Sequence, residues 1–389
     1  TRFETIVARH RDHPLALESA FQLVDAYRRQ ERFAEAKDLL HEFLRRHTDP
    51  SAQAQIRLRL ATLALDQGNA AQARTIFALA AEHDHTVVRQ TALNGLGDVQ
   101  LYLGELAEAT RWYDAAIQAD PVSALAQYAT YQVGRIHLQR GAFQEAVAVF
   151  QRLQGSGDAA LADDARLALV IAHINQQEEP AARSLLAAMR QARPGSSIAA
   201  RAAYYEALLA LGRGEEAAAR ALCGEAMAGA QRSSEAFEAR LLIEDLDGQQ
   251  QSVREEIVRL QRIYTTERLS RSQRATLAKR VGDLARGESR CPEAIRWYEQ
   301  AMQMAPALNG EAEYRVASCY EEGGDLEAAM RWYQRIEQAP WRVRGQLALA
   351  KLLERQERPE DARAVYERLA GEPIPEAKLI QEWLAALET

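Results

Sequence analysis

The sequence predicts an all-α protein, a right-handed α-solenoid of about ten helix hairpins in a row. Three observations carry that expectation. Ala, Leu, Glu, Gln and Arg, the strongest helix formers, dominate the chain. The 11 Pro and 21 Gly among 389 residues are too few for the many tight turns of an all-β protein. Above all, a small residue recurs at a nearly constant interval from Ala36 to Ala362, as stacked repeats require.

The recurring residues are Ala36, Ala73, Ala109, Ala146, Ala182, Ala219, Ala294, Ala329 and Ala362. Successive gaps are 37, 36, 37, 36, 37, 75, 35 and 33, and the gap of 75 is two periods. Each sits near the start of a second helix, in segments such as LAEATRWY (106–113) and LEAAMRWY (326–333). Four residues on stands a larger residue: Leu40, Phe77, Tyr113, Phe150, Leu186, Cys223, Tyr298, Tyr333 and Tyr366. Positions i and i+4 share one helix face. Twelve residues before the small position, most first helices carry another slim residue: Ala61, Gly97, Gly134, Ala207, Gly282, Ala317 and Ala350. Small residues on both helices let the backbones close into a tight antiparallel hairpin. Gly68, Gly104, Gly141, Gly214 and Gly324 lie five residues before it, where a first helix ends in the left-handed region. Pro121, Pro194 and Pro306 close second helices.

In chain order, residues 1–14 read as the second helix of a truncated repeat, ending at Pro14. Residues 15–229 hold six regular repeats. Residues 230–265 keep the repeat length but lose the small residues. The second helix of this degenerate unit, VREEIVRLQRIY (253–264), puts Glu256 near the small position and turns Leu260 and Ile263 inward. Three further repeats fill 266–370. Residues 371–389 form a capping helix, or the first helix of a further unit, striped by Leu379, Ile380, Trp383, Leu384 and Leu387. Because it starts mid-repeat, the chain is expected to be a fragment of a longer array.

These residues resemble the tetratricopeptide repeat, a helix-turn-helix unit of about 34 residues. The resemblance covers nearly the whole chain. Its departures are the longer period of the first six units and the degenerate unit. It implies a non-enzymatic scaffold whose first helices line a groove for an extended peptide or a partner's helix. The array length, the period and the Ala/Arg/Gln-rich composition further resemble the repeat arm of a bacterial envelope assembly, such as exopolysaccharide export. That likeness favours a periplasmic or cell-envelope location over a cytoplasmic one.

The net charge of -7 argues against a nucleic-acid partner, which calls for a surplus of Lys and Arg. No run of 18 apolar residues suggests a membrane span. Three Cys without a CxxC make neither a disulfide framework nor a zinc site, and no cofactor or metal is expected. Cys223 takes a slot that others fill with Phe or Tyr and reads as a small core residue. Cys291 stands near a helix start, where a thiolate is favoured, though a plain surface cysteine fits the position better. His137 and His173 share a slot with Tyr27 and Tyr320, which speaks for packing. His83 and His85 lie in a link with no third ligand nearby in sequence. No phosphate loop, nucleophile elbow or metalloprotease motif occurs, so no catalytic residue is expected.

Two binding surfaces are candidates. Counting from the small positions, the groove residues are Asn94, Asp98, Leu101 and Tyr102 in the third unit, and Tyr128, Tyr131, Arg135 and Gln139 in the fourth. Aromatics beside Arg are enriched at contact hot spots, although these tyrosines equally suit packing between repeats. The Lys/Asn/Arg pattern with which chaperone cofactors of this family hold a C-terminal carboxylate is missing. The second candidate is the basic run 267–290, with Arg268, Arg271, Arg274, Lys279, Arg280, Arg286 and Arg290 against three acids. It reads as a patch for an anionic polysaccharide or as a solvated helix face. The expected partners are therefore one or more proteins, with an anionic polymer as the alternative.

Overall fold

The computed structural model describes residues 15–231, 233–248, 252–267, 269–305, 308–336, 341–371, 380, 381 and 384. Among them are twenty helices and no strand. The expected helix over 1–14 and most of the expected capping helix lie outside the described residues.

The fold is an α-solenoid, and its contacts divide the chain into two compact units, Thr1–Leu209 and Ala210–Thr389. The first unit begins with α1 (Ala16–Arg29) and α2 (Phe33–Arg46), then α3 (Pro50–Asp66) and α4 (Ala70–Ala81). It continues through α5 (Thr86–Leu103), α6 (Leu106–Ala119), α7 (Ala124–Gln139), α8 (Phe143–Leu153), α9 (Ala159–Asn175) and α10 (Glu179–Ala192). Helix α11 (Ser197–Gly212) runs over the division. The second unit holds α12 (Glu216–Gly229), α13 (Ser234–Gly248), α14 (Val253–Thr266), α15 (Arg271–Gly287) and α16 (Cys291–Met304). It ends with α17 (Asn309–Glu322), α18 (Leu326–Arg335), α19 (Trp341–Arg355) and α20 (Pro359–Ala370).

Within a unit, helices pack on the next along the chain, as in α5–α6–α7 and α15–α16–α17. First helices also meet first helices one repeat on: α3 meets α5, α5 meets α7, α7 meets α9, and α17 meets α19. The small register explains how they come so close. All nine small-position alanines are 0% exposed, and every large residue four positions on is buried. A methyl group at Gly97 would stand 2.5 Å from Cε1 of Tyr113, and one at Gly282 would stand 2.8 Å from Cε1 of Tyr298. The ring lies flat on the backbone where a side chain would otherwise be. Burying a ring of this size contributes roughly 1.5–3 kcal/mol.

The hairpin turns share one closure. The residue five before the small position is left-handed at Gly68, Gly104, Gly141, Gly214 and Gly324, as the spacing predicts. The same slot holds Glu31, Gln177, Ser289 and Glu357, the non-glycine residues with positive φ among those described. The next residue donates its N–H five residues back, as Glu105 does to Gln100 O at 2.9 Å and Glu178 to His173 O at 2.9 Å. This is the six-to-one bond of a Schellman ending. It satisfies an orphan carbonyl of the first helix whatever side chain occupies the slot.

The degenerate unit keeps the hairpin by other means. Ser252 and Ser270 each form a capping box, with Glu255 and Gln273, and so start α14 and α15. Leu260 and Ile263 are buried. Glu256 holds the small position by register but does not back onto a neighbour as alanine does. Its carboxylate accepts from Arg280 at 3.2 Å, and the adjacent Ile257 takes the buried place.

Candidate partner-binding face

The first helices carry ion pairs that join several of them to the first helix of the following repeat. Arg59 pairs with Asp25 at 3.1 Å, Arg28 with Asp66 at 2.6 Å, and Arg201 with Asp164 at 2.8 Å. In the second unit Arg280 pairs with Asp245, Lys279 with Glu311 at 3.0 Å, Arg286 with Glu322 at 2.5 Å, and Arg355 with Glu321 at 2.5 Å. Half-exposed pairs of this kind contribute about 0–1 kcal/mol each. Their larger effect is to neutralise the face. Sequence reasoning within one repeat missed this ladder. Opposite charges one period apart, as at Asp164 and Arg201, are the signal that reveals it.

At the third and fourth repeats the link is a different one. Asp98 of α5 accepts from the hydroxyl of Tyr113 on α6 and from that of Tyr128 on α7, both at 2.7 Å. Burial pushes the Asp98 carboxyl above its ordinary range, and the two hydroxyl donors and nearby Arg135 oppose that rise. Burial, then the Asp98 charge, pushes both tyrosine hydroxyls up as well.

The expected groove residues therefore separate into two groups. Asn94 is buried, and its Nδ2 donates to Leu125 O at 3.0 Å, so it joins α5 to α7 rather than facing a groove. Asp98 and Tyr128 are bound to each other. Leu101, Tyr102 and Tyr131 are half-buried, and Tyr131 stands edge-on to Phe150 with ring centroids 5.6 Å apart. Arg135 and Gln139 are exposed. Arg135 Nη1 donates to Gln132 at 2.9 Å, and among the described residues its guanidinium meets no carboxylate at ion-pair distance.

The basic run is largely spoken for. Lys279, Arg280 and Arg286 belong to the ladder, and Arg290 pairs with Glu293. Burial alone lowers the Arg280 guanidinium, but the hydrogen bond to Asp245 and the charges of Asp245 and Glu256 outweigh it and raise it. Arg271 donates to Gln303 O at 2.7 Å. Arg274 is exposed, and Arg268 lies outside the described residues.

The cysteine and histidine positions also resolve. Cys223 is fully buried, and burial raises its thiol. Cys291 is the first residue of α16, but the helix start does not win there: burial raises its thiol too. His173 Nδ1 lies 2.6 Å from Glu178 across a hairpin turn. His83 Nδ1 accepts from the His85 N–H at 3.0 Å. Among the described residues no group of three His, Cys, Asp or Glu side chains is arranged to hold a metal, and no helix is long and apolar enough to cross a membrane.

Two family models match the chain. The tetratricopeptide repeat-like domain covers residues 1–130. The tetratricopeptide repeat covers 131–197, 281–341 and 347–388. No curated protein matches. Among solved structures, a tetratricopeptide repeat protein from Parabacteroides merdae is 16% identical, with TM-score 0.31, over 77% of this chain and 99% of its own. A human IFIT1 dimer with PPP-AAAA is 15% identical, with TM-score 0.43, over 81% of this chain and 76% of its own. At such identities the likeness concerns the fold alone.

Proposed function

The chain belongs to the tetratricopeptide repeat superfamily, and on that premise we propose that it is a scaffold holding a partner polypeptide against its first-helix face. Repeats of this superfamily generally mediate protein–protein interaction. The observation that carries the reading is Arg135. It stands exposed, and among the described residues its guanidinium makes no ion pair with a carboxylate, whereas Arg59, Arg28, Arg201, Arg280 and Arg355 are paired across the ladder. A planar guanidinium beside the half-buried Tyr131 offers a fork for backbone or carboxylate oxygens and a large aromatic contact. Gln139 extends the same stripe one turn further. The finer assignment is a bacterial envelope assembly, such as exopolysaccharide export, with the chain in the periplasm or cell envelope. What supports it is the 36–37 residue period and the length of the array.

The test is co-purification of partners from an envelope extract with the wild-type chain, with Tyr131→Ala/Arg135→Ala, and with Arg271→Glu/Arg274→Glu. The first double substitution should cost about 2 kcal/mol or more of binding and leave the helical spectrum unchanged. The second should matter little for a peptide held on the Tyr131 face, and Lys279, Arg280 and Arg286 of the same run already meet acids of neighbouring helices. The opposite ranking, with binding that collapses as salt rises, would replace the peptide reading by one in which an anionic polymer is bound.

A further inference from the structure

We propose that Cys291 and Cys319 form a thiol pair that a low-molecular-weight disulfide oxidises to an intrachain disulfide between α16 and α17. Cys291 is the first residue of α16 and is half-buried, while Cys319 lies inside α17 with 1% of its surface exposed. Cys291 packs against the buried cluster that contains Cys319, and each thiol bears on the electrostatics of the other. Cys291 Sγ also donates to Glu322 Oε2 at 3.5 Å, and Glu322 follows Cys319 by one turn on α17. The Cys291 thiol thus rests on the stripe of α17 that carries both its redox partner and an acceptor for its proton.

Access assigns the order of events. Cys291 meets solvent and attacks first, with its proton passing to the Glu322 carboxylate. The thiolate displaces one half of the small disulfide and forms a mixed disulfide, and the released thiolate takes up a proton. Cys319 then attacks Sγ of Cys291, and its proton passes to the departing small thiolate. The bond to the small thiol breaks, and that second thiol leaves. Two protein thiols are oxidised, and one small disulfide is reduced to two thiols.

The groups that act on the pair are Arg286 of α15 and Glu322 of α17, with Tyr298 of α16 beside Cys319. Arg286 pairs with Glu322 at 2.5 Å and favours thiolate charge at both sulfurs. Burial opposes that charge and raises both thiols, so both sulfurs rest as protonated thiols at neutral pH. Once made, the bond ties the start of α16 to the middle of α17 and fixes how the α15–α16 hairpin sits on the next. The inference stands apart from the groove reading, since it uses neither Tyr131 nor Arg135.

The experiment treats the native full chain with oxidised glutathione, alkylates what remains, and digests with trypsin without reduction. The expected product joins the peptide 291–296 to the peptide 316–331, with loss of both alkylated forms and full return on adding reductant. Cys319→Ser should stop at glutathione on Cys291, while Cys291→Ser should leave Cys319 unmodified in the folded chain. Hydrogen exchange in 291–322 should slow in the oxidised wild type. Glutathione retained on Cys291 of the wild type, a disulfide between chains, or two unoxidised thiols in a chain with its native helical spectrum would each overturn the proposal.

Discussion

The hydroxyl of Tyr113 donates to Asp98 at 2.7 Å while its ring lies over Gly97, the residue before that aspartate. The arrangement recurs in the second unit, where Tyr298 donates to Asp283 at 2.8 Å over Gly282. At Tyr333 the equivalent position is Ser318, 3.3 Å from the hydroxyl, and the hydroxyl donates instead to Glu321, one turn further on, at 3.0 Å. One tyrosine therefore does two tasks: its ring fills the hairpin crossing, and its hydroxyl satisfies a carboxylate at the edge of the first-helix face.

The close approach at Gly97 should tolerate no side chain. Gly97→Ala places a methyl 2.5 Å from the Tyr113 ring and should cost about 1–3 kcal/mol. Tyr113→Leu made on top of Gly97→Ala should lose less than the two single costs added, because the clash is gone. Urea denaturation of the four chains reads the coupling, and strict additivity would count against it.

Ala109 is fully buried where the two helices of the third hairpin cross. Ala109→Trp should cost roughly 1–3 kcal/mol or more by overpacking that crossing. Because each repeat touches only its neighbours, hydrogen exchange should rise in about 90–125 before it rises elsewhere. An even rise along the whole chain would argue against a modular array.

The Asp98 carboxyl is held above its ordinary value in the folded chain, so the folded chain binds that proton more tightly than the unfolded one. Its contribution to stability is fully present below the unfolded value of about 3.9 and is lost as pH rises through the folded value. Relative to Asp98→Asn, the wild type should gain stability as pH falls from neutral towards the ordinary carboxylate range. Exchange protection in 86–139, followed across that interval, tests the sign. A wild-type advantage that grows with rising pH would contradict it.

Four turn residues are held left-handed without being glycine. That conformation costs an ordinary residue roughly 1–2 kcal/mol, against roughly 0.5–1 kcal/mol of backbone entropy for glycine. Gln177→Gly and Ser289→Gly should therefore each stabilise the chain by about 0.5–1 kcal/mol. Gly104→Ala should destabilise it by about 1–2 kcal/mol. Thermal midpoints of the three variants decide the matter, and a loss in both glycine variants would show that the slot is not strained.

The hairpins, most of their crossings and the five glycine turns were legible in the residue types alone, whereas the turns at Glu31, Gln177, Ser289 and Glu357 were not. Each depends on contacts between positions a fixed distance apart in one repeat, so the alanine register and the glycines five residues before it appear as periodic letters. Glu256 could be placed at the degenerate crossing by counting. That Ile257 takes over its burial, and that Arg280 answers its charge, needed the neighbouring helix in view. The binding face was legible only in part. Counting places Asn94, Asp98, Tyr128 and Arg135 on one stripe but does not say which of them a neighbour already engages. That is decided by the distance between first helices of successive repeats, which brings Leu125 O to Asn94 and the Tyr128 hydroxyl to Asp98 and leaves Arg135 outside. The same distance converts the basic run 267–290 from an apparent surplus of charge into rungs of a paired ladder. Local spacing sets what a helix pair must be. Whether a polar side chain stays available to a partner depends on groups one whole repeat away, and only the packed chain brings those together.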